Sequence, residues 1–424
     1  MTHSEQSRKW TASMDLWMIL AAVAIATLLI VIATEAQTQT FTVLHTFTGG
    51  ADGGSPYAGL TQDSAGNFYG TTAYGSHVGS TCPYGCGVVF KISHIGEGWV
   101  LNPIYTFQGG DDGANPLAAV VIASDGSLYG TTSAGGEGSC SNEFGGEGCG
   151  TVFRLQPQPH ACASFQCPWI ETVLYRFTGA ADGATPGYGN LLFDQAGNIY
   201  GAATYGGLNR ENCPTGCGVV YELTHSSQGW TENVLYSFTA GNDGENPFSG
   251  LIFDSAGNLY GTNFSNTAYE LIPSQSGWSE QTLTRDLFEP YGGVVFDSVG
   301  NLYGGDLFGG EGGGSVYQLT PGSSGWMYHL LFSFNYGSGP ADSLYSIPAA
   351  TSMALQRSTL TRARSSSCRR RTADGTSTTF TYSIPTTAPF RSARSYATAT
   401  ATFSAPLRRA LTTMESATAS LAVG

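Results

Sequence analysis

Apolar residues from Leu60 onward do not recur at helical spacing. They fall in short runs of three to five, cut by Gly, Asp and Asn, and the same run returns along the chain. "LTQDSAGNFYGTT" begins at Leu60, "VIASDGSLYGTT" at Val121, "LLFDQAGNIYGAA" at Leu191, "LIFDSAGNLYGTN" at Leu251 and "VVFDSVGNLYGGD" at Val294. Each copy is followed by a Gly-rich loop and then by "GVVFKIS" (Gly87), "GTVFRLQP" (Gly150), "GVVYELT" (Gly218), "TAYELIP" (Thr267) or "GSVYQLTP" (Gly314). A "GW" at Trp99, Trp230, Trp278 or Trp326, with Trp169 as a variant, leads into an aromatic run such as "NVLYSF". Alternating or continuous apolar runs of this length predict strands.

Each repeat therefore holds four strands: a ("GLIFD"), b ("NLYGT"), c ("GVVYEL") and d ("NVLYSF"). In the D-x-x-G-N turn between a and b, Asp bonds the turn's own amides and Gly takes positive φ without steric cost. Four strands in about 40–60 residues is the size of a propeller blade. The expected fold is all-β, a β-propeller of four-stranded antiparallel blades. Five complete blades are expected at about Tyr57–Phe107, Pro116–Phe177, Gly187–Phe238, Phe248–Phe288 and Tyr291–Phe334. "FTVLHTF" at Phe41 is a d-type strand with no a, b or c before it, as expected of a segment that completes the last blade of a ring.

The repeated F-x-x-x-x-DG-x-x-P…LIFDSAGNLYGTT…GG…GVVFKLTP…GW pattern resembles the Gloeo/Verruco (GloVer) tandem repeat of bacterial choice-of-anchor proteins. The resemblance covers about residues 41–342. Members of that family are exported proteins with variable C-terminal anchors, so the resemblance implies export; it shows no C-terminal anchor in this sequence and brings no established activity.

The tail breaks the pattern. Residues 345–424 lose the turn glycines and end in an Ala/Thr tract at "YATATATFSAPL". Reading each codon from its third base, Leu344 to Leu355 permits (L/I/V)-F-D-(S/T/P)-G-G-N-L-Y-G-T. Asp374 to Ser383 permits G-W-x-x-x-x-L-Y-x-F, and the run from Ala397 permits another a–b turn. Three matches in order and in one frame point to a single-base deletion near Leu344–Tyr345, with a sixth blade and the start of a seventh encoded out of frame. The tail is then expected to be irregular and poorly ordered. The ring is expected to stay open, or to close imperfectly with 41–47 on the edge of blade five, leaving an aggregation-prone edge. A functional basic tail is the alternative.

Net charge sharpens the division. Ten of the 17 basic residues are arginines after Ala350, a region with two acids, so residues 1–350 keep 7 bases against 29 acids, a net of −22. An acidic body repels phosphates and argues against nucleic acid as a partner. At the N-terminus, Arg8 and Lys9 precede an apolar run from Leu16 to Ala33, and Thr34-Glu35-Ala36 offers a cleavage site between Ala36 and Gln37. Residues 1–36 read as a signal peptide, or as a membrane anchor if uncleaved. Either makes the body extracellular, periplasmic or surface-bound, and the membrane a partner only through an uncleaved segment.

Cys368 lies in the tail. The other eight cysteines form close pairs: Cys82 with Cys86, Cys140 with Cys149, Cys162 with Cys167, and Cys213 with Cys217. In an exported chain such pairs point to disulfides, and no loop offers a zinc-like ligand set. The acids Asp52, Asp112, Asp182 and Asp243 sit in DG turns, and Asp63, Asp194, Asp254 and Asp297 open the a–b turns. Calcium ligation and turn capping are the two readings, and capping fits every copy. His45, His94 and His225 lack a Ser or Cys partner at a motif spacing. The strand-b tyrosines Tyr69, Tyr129, Tyr200, Tyr260 and Tyr303 either pack between blades or line a channel; packing is favoured. No catalytic, cofactor or metal residue is assigned. The function expected is that of an exported repeat scaffold binding a glycan or a cell-surface protein. The alternative is an extracellular polysaccharide hydrolase or lyase.

Overall fold

The computed structural model describes residues 42–142, 145–158, 169–323 and 325–334, together with the backbone of strand segments between 344 and 403. The chain divides into two units, Met1–Thr42 and Val43–Gly424, and every described strand lies in the second. Ala36 and Gln37, the expected cleavage site, lie outside the described residues. So do Cys162 and Cys167, whose expected pairing falls between Trp169 and the end of strand c in the second repeat.

Five sheets follow one plan. Blade 1 comprises β1 (Thr61–Gln62), β2 (Phe68–Thr72), β3 (Val88–Ile95) and β4 (Gly98–Thr106). Blade 2 comprises β5 (Val121–Ile122), β6 (Leu128–Thr132), β7 (Thr151–Pro157) and β8 (Trp169–Arg176). Blade 3 holds β9 (Leu192–Phe193), β10 (Ile199–Ala203), β11 (Val219–Ser226) and β12 (Gly229–Ser237). Blade 4 holds β13 (Ile252–Phe253), β14 (Leu259–Asn263), β15 (Thr267–Ser274) and β16 (Gly277–Thr284). Blade 5 holds β17 (Val295–Phe296), β18 (Leu302–Asp306), β19 (Ser315–Gly322) and β20 (Gly325–Ser333). Each is an antiparallel meander in sequence order. These are the blades of a propeller-type fold, and no helix occurs among the described residues.

The repeat motifs explain themselves in these sheets. In the a–b turn of blade 1, Asp63 Oδ1 accepts the Ala65 and Asn67 amides at 3.0 and 2.8 Å, and Oδ2 accepts Asn67 Nδ2 at 2.8 Å and the Tyr69 hydroxyl at 3.2 Å. Asp194, Asp254 and Asp297 repeat this set. Carboxylates that accept four donors are turn caps, and the strand-b tyrosines that donate to them are 4–7% exposed. The glycine of "YGT" is required by close approach. A Cβ on Gly201 would lie 2.3 Å from the hydroxyl of Tyr221, a strand-c ring that is fully buried. Burying such a ring contributes roughly 2–3 kcal/mol.

Between blades the core is aromatic. Strand d of one blade sends a phenylalanine onto strand c of the next: Phe107 on Phe153, Phe177 on Tyr221 and Phe238 on Tyr269, with ring centroids 5.2, 5.1 and 5.0 Å apart. Strand c and d pair with one extra residue on d, as where Val220 faces Tyr236 but Tyr221 faces Val234.

One expectation needs correction. The tail is not irregular throughout: β21 (Leu344–Ile347), β22 (Ser352–Leu355), β23 (Ala363–Arg371), β24 (Ser377–Pro385) and β25 (Thr398–Phe403) form a five-stranded sheet. Its order is β21-β22-β24-β23-β25, with β22–β24 and β23–β25 parallel, so it is not a sixth blade of the same plan. The reason is local. Phe380, Tyr382 and Ile384 alternate with Thr and Ser, a period-2 pattern of strand-forming residues. Of the two outcomes expected for the ring, imperfect closure on blade 5 is not seen, since residues 43–47 do not pair with it. Leu44 and Phe47 pack on Val88, Phe90 and Ile92 of blade 1.

Candidate functional site

Each blade is entered through a turn that ends in proline. The residue before that proline is held at positive φ in all five: Ser55 (54°), Asn115 (54°), Thr185 (56°), Asn246 (54°) and Glu289 (50°). A side chain there costs on the order of 1 kcal/mol or more, so something must hold it. At three of these turns the holding group is the disulfide loop of the preceding blade. Cys82–Cys86, Cys140–Cys149 and Cys213–Cys217 are bonded, with Cα atoms 5.2, 4.8 and 5.2 Å apart. The fourth expected pair, Cys162 with Cys167, is not among these three disulfides, because Cys162 and Cys167 both lie outside the described residues. The carbonyls of Cys86, Cys149 and Cys217 accept the amides of Asn115, Thr185 and Asn246, each at 2.8 Å. Blade 4 has no cysteines, and there the Asn266 side-chain oxygen accepts the Glu289 amide at 3.1 Å.

This bracing fixes the segment after the proline. The first or second residue after it is Tyr57, Leu117, Tyr188, Phe248 or Tyr291. Tyr188 and Phe248 stack with centroids 3.8 Å apart, and Tyr291 meets Phe248 edge-on at 4.9 Å. Phe264 joins at 5.9 Å from Phe248 and 5.6 Å from Tyr291. Tyr57, Tyr74 and Tyr188 pack against buried Ala73 and Leu117. The result is a set of partly buried rings from the entry segments of blades 3, 4 and 5, with Phe264 of the blade 4 b–c loop, joined to Tyr57 of blade 1 through the buried Leu117 of blade 2. Gly189 lets two entry turns touch: a Cβ there would lie 2.5 Å from the Ser249 carbonyl. Beside it, Asn190 Oδ1 accepts the Ala119 amide at 2.9 Å.

The acids take other places. Asp112, Asp182 and Asp243 accept the hydroxyls of Tyr105, Tyr175 and Tyr236 at 3.0, 3.1 and 3.0 Å, so the DG-turn aspartates also cap turns. Burial, with the charge of Asp112, pushes Glu171 up to about 7, and burial with Asp182 does the same for Glu232. Glu245 Oε2 is buried without a partner near the sulfurs of Cys213 and Cys217. Those sulfurs are bonded to each other and do not offer thiolates. His94 and His225 pack on Trp99 and Trp230 at 5.1 and 4.9 Å. His45 meets Asp52 at 3.0 Å with no nucleophile described beside it.

Sequence reasoning placed the three bonded cysteine pairs and the capping aspartates but missed the aromatic run and its bracing. The signal was present as a proline in every copy followed within two residues by Tyr, Leu or Phe.

Residues 30–271 match the profile of the Gloeobacter/Verrucomicrobia repeat. No curated protein matches the chain. Among solved structures it is similar to a xylan β-1,4-xylosidase from Bacillus halodurans C-125, at 13% identity and a TM-score of 0.35 over 66% of this chain and 55% of that one. A gluconolactonase from Xanthomonas campestris is similar at 13% identity and a TM-score of 0.33, over 64% of this chain and 71% of that one. A functionally unknown protein from Desulfotomaculum acetoxidans DSM 771 is similar at 14% and 0.36, over 73% and 75%. The chain thus spans little more than half the length of the first of these, and none of the likenesses bears on activity.

Proposed function

The chain belongs to the Gloeobacter/Verrucomicrobia repeat family, and from that premise we propose that it is an exported, non-catalytic scaffold that binds a glycan along its aromatic run. The observation that carries this reading is the partly buried ring set Tyr57, Tyr188, Phe248, Phe264 and Tyr291, of which all but Phe264 lie one or two residues after a proline whose preceding residue is held at positive φ. Aromatic faces pack against the apolar faces of sugar rings. A pre-fixed platform also loses little conformational freedom on binding. Three disulfides fit an oxidising, extracellular setting.

A glycan array probed with the full chain tests this, with Phe248→Ala and Tyr291→Ala as controls. Binding to polysaccharide that both variants lose supports the proposal. Release of reducing ends or unsaturated products from the bound polysaccharide favours the hydrolase or lyase reading instead. Capture of proteins with no glycan bound overturns the glycan assignment.

A further inference from the structure

Residues 43–47 stand before blade 1 and pair with no strand among the described residues. Their side chains nevertheless make the contacts of an outer strand. Phe47 lies 5.1 Å from Phe90, as Phe107 does from Phe153 at 5.2 Å. His45 meets Phe47 edge-on at 5.0 Å, as Tyr105 meets Phe107 at 5.1 Å. His45 Nε2 reaches Asp52 Oδ2 at 3.0 Å, where Tyr105, Tyr175 and Tyr236 reach their own turn aspartates at 3.0–3.1 Å. A strand d is therefore docked in place without the sheet it belongs to.

The missing neighbour can be specified. In every blade strand d pairs antiparallel with strand c, and the extra residue on d falls at the same point. Transferred from blade 3, the register puts His45 opposite the residue equivalent to Val220 and Val43 opposite the ring equivalent to Tyr221, with Leu44 as the extra residue. The shifted frame supplies strands of this kind. Read from the third base of each codon, Arg362 to Arg370 ("RARSSSCRR") permits G-T-V-F-E-L-S-P, against "GTVFRLQP" at Gly150. The same frame gives G-W at Ala373 to Gly375, at the spacing that separates Gly218 from Gly229-Trp230. Joined to the a–b and d readings on either side, this completes a sixth repeat.

We infer that the open edge of Val43–Phe47 is a docking site for one extended strand of the type G-x-V-(F/Y)-x-L, the strand c of the final repeat in the uninterrupted array. Its backbone groups give affinity, and the valine before its aromatic faces Phe47 and Phe90, as Val220 packs with Phe238 and Tyr269. The test adds a peptide with the sequence of Gly150–Pro157 to the full chain. Binding is followed by fluorescence anisotropy and by amide hydrogen exchange. Saturable binding is expected, with slowed exchange at residues 43–47 and no binding of a scrambled peptide. Val43→Pro, at an exposed position that leaves Phe47 on Phe90, is expected to abolish binding. A peptide that fails to bind, binds equally when scrambled, or protects other segments while leaving 43–47 unchanged overturns the inference. A frame-restored chain provides a second reading: exchange at 43–47 should be slow there without any peptide, and fast exchange overturns the assignment of the strand's source.

Discussion

The hydroxyl of Ser315 donates to Asp306 Oδ2 at 2.9 Å, and it leaves Oδ1 of a fully buried carboxylate without a hydrogen-bond partner. In blade 4 the same strand position is Asn263, whose Nδ2 donates to the Asp243 carbonyl at 2.7 Å. Burial pushes Asp306 up to about 7, against the hydrogen bonds from Ser315 and the Phe288 backbone. The carboxyl is thus neutral in the fold at a pH where it is charged in the unfolded chain. Stability falls as pH rises from about 4 towards 7, because the native state holds a proton that the unfolded state has lost. Asp306→Asn removes this term. The variant should melt higher than the parent at pH 8, by on the order of 1 kcal/mol, and no higher at pH 4. Thermal melts at the two pH values check it, and an equal gain at both would place the effect in packing instead.

Glu171 and Glu232 follow the same sign at the seams between blades, each pushed up to about 7 by burial and by the aspartate of the preceding turn. Replacing both with Gln should raise the melting temperature at pH 8 and flatten its decline between pH 5 and 8. Solvent screens half-buried groups, so about 1 kcal/mol or less is expected from each. An unchanged pH profile would show that the two carboxylates are relieved by hydration.

Much of this fold is legible in the sequence, because the repeat is local. Asp63, Asn67 and Tyr69 lie within seven residues and satisfy one another. The c–d hairpin is marked by "GW", and the b-strand glycine by its place in "YGT". What escaped is non-local. That the Cys217 carbonyl holds Asn246, and so aims Phe248, joins two blades across a backbone contact that no residue type announces. The tail strands escaped for a different reason. Their many Thr and Ser residues hide the alternation of Phe380, Tyr382 and Ile384, which is the stronger signal.

The bracing contact makes its own prediction at the seam of blades 4 and 5, which lacks cysteines. Asn266 Oδ1 accepts the Glu289 amide before Pro290 and Tyr291. Asn266→Ala leaves that amide without its acceptor and should cost about 1 kcal/mol. Asn266 itself sits at a φ of 69°, where Ala is strained, so Asn266→Gly serves as the control for backbone geometry. Both variants should speed exchange of the Glu289 and Tyr291 amides. Destabilisation by Ala with normal exchange there would assign the effect to strain at Asn266 alone.

The disulfide loops give the last test, because reduction should act at a distance from the sulfurs. Cys213–Cys217, at a sequence separation of 4, closes a short loop, and constraining so short a loop is worth about 2 kcal/mol in the chain-entropy account. Were that its whole role, reduction would lower the melting temperature and leave the native surface unchanged. The Cys217 carbonyl, however, accepts the Asn246 amide at 2.8 Å, and Asn246 is held at a φ of 54° immediately before Pro247 and Phe248. Loosening the loop frees that residue to relax into ordinary backbone, which moves Phe248 off Tyr188. Cys213→Ser with Cys217→Ser should therefore weaken glycan binding as strongly as Phe248→Ala while the far seam at Phe107 and Phe153 keeps its exchange protection. Binding that survives loss of the disulfide, at a temperature where the fold is intact, would separate the aromatic run from the brace assigned to it.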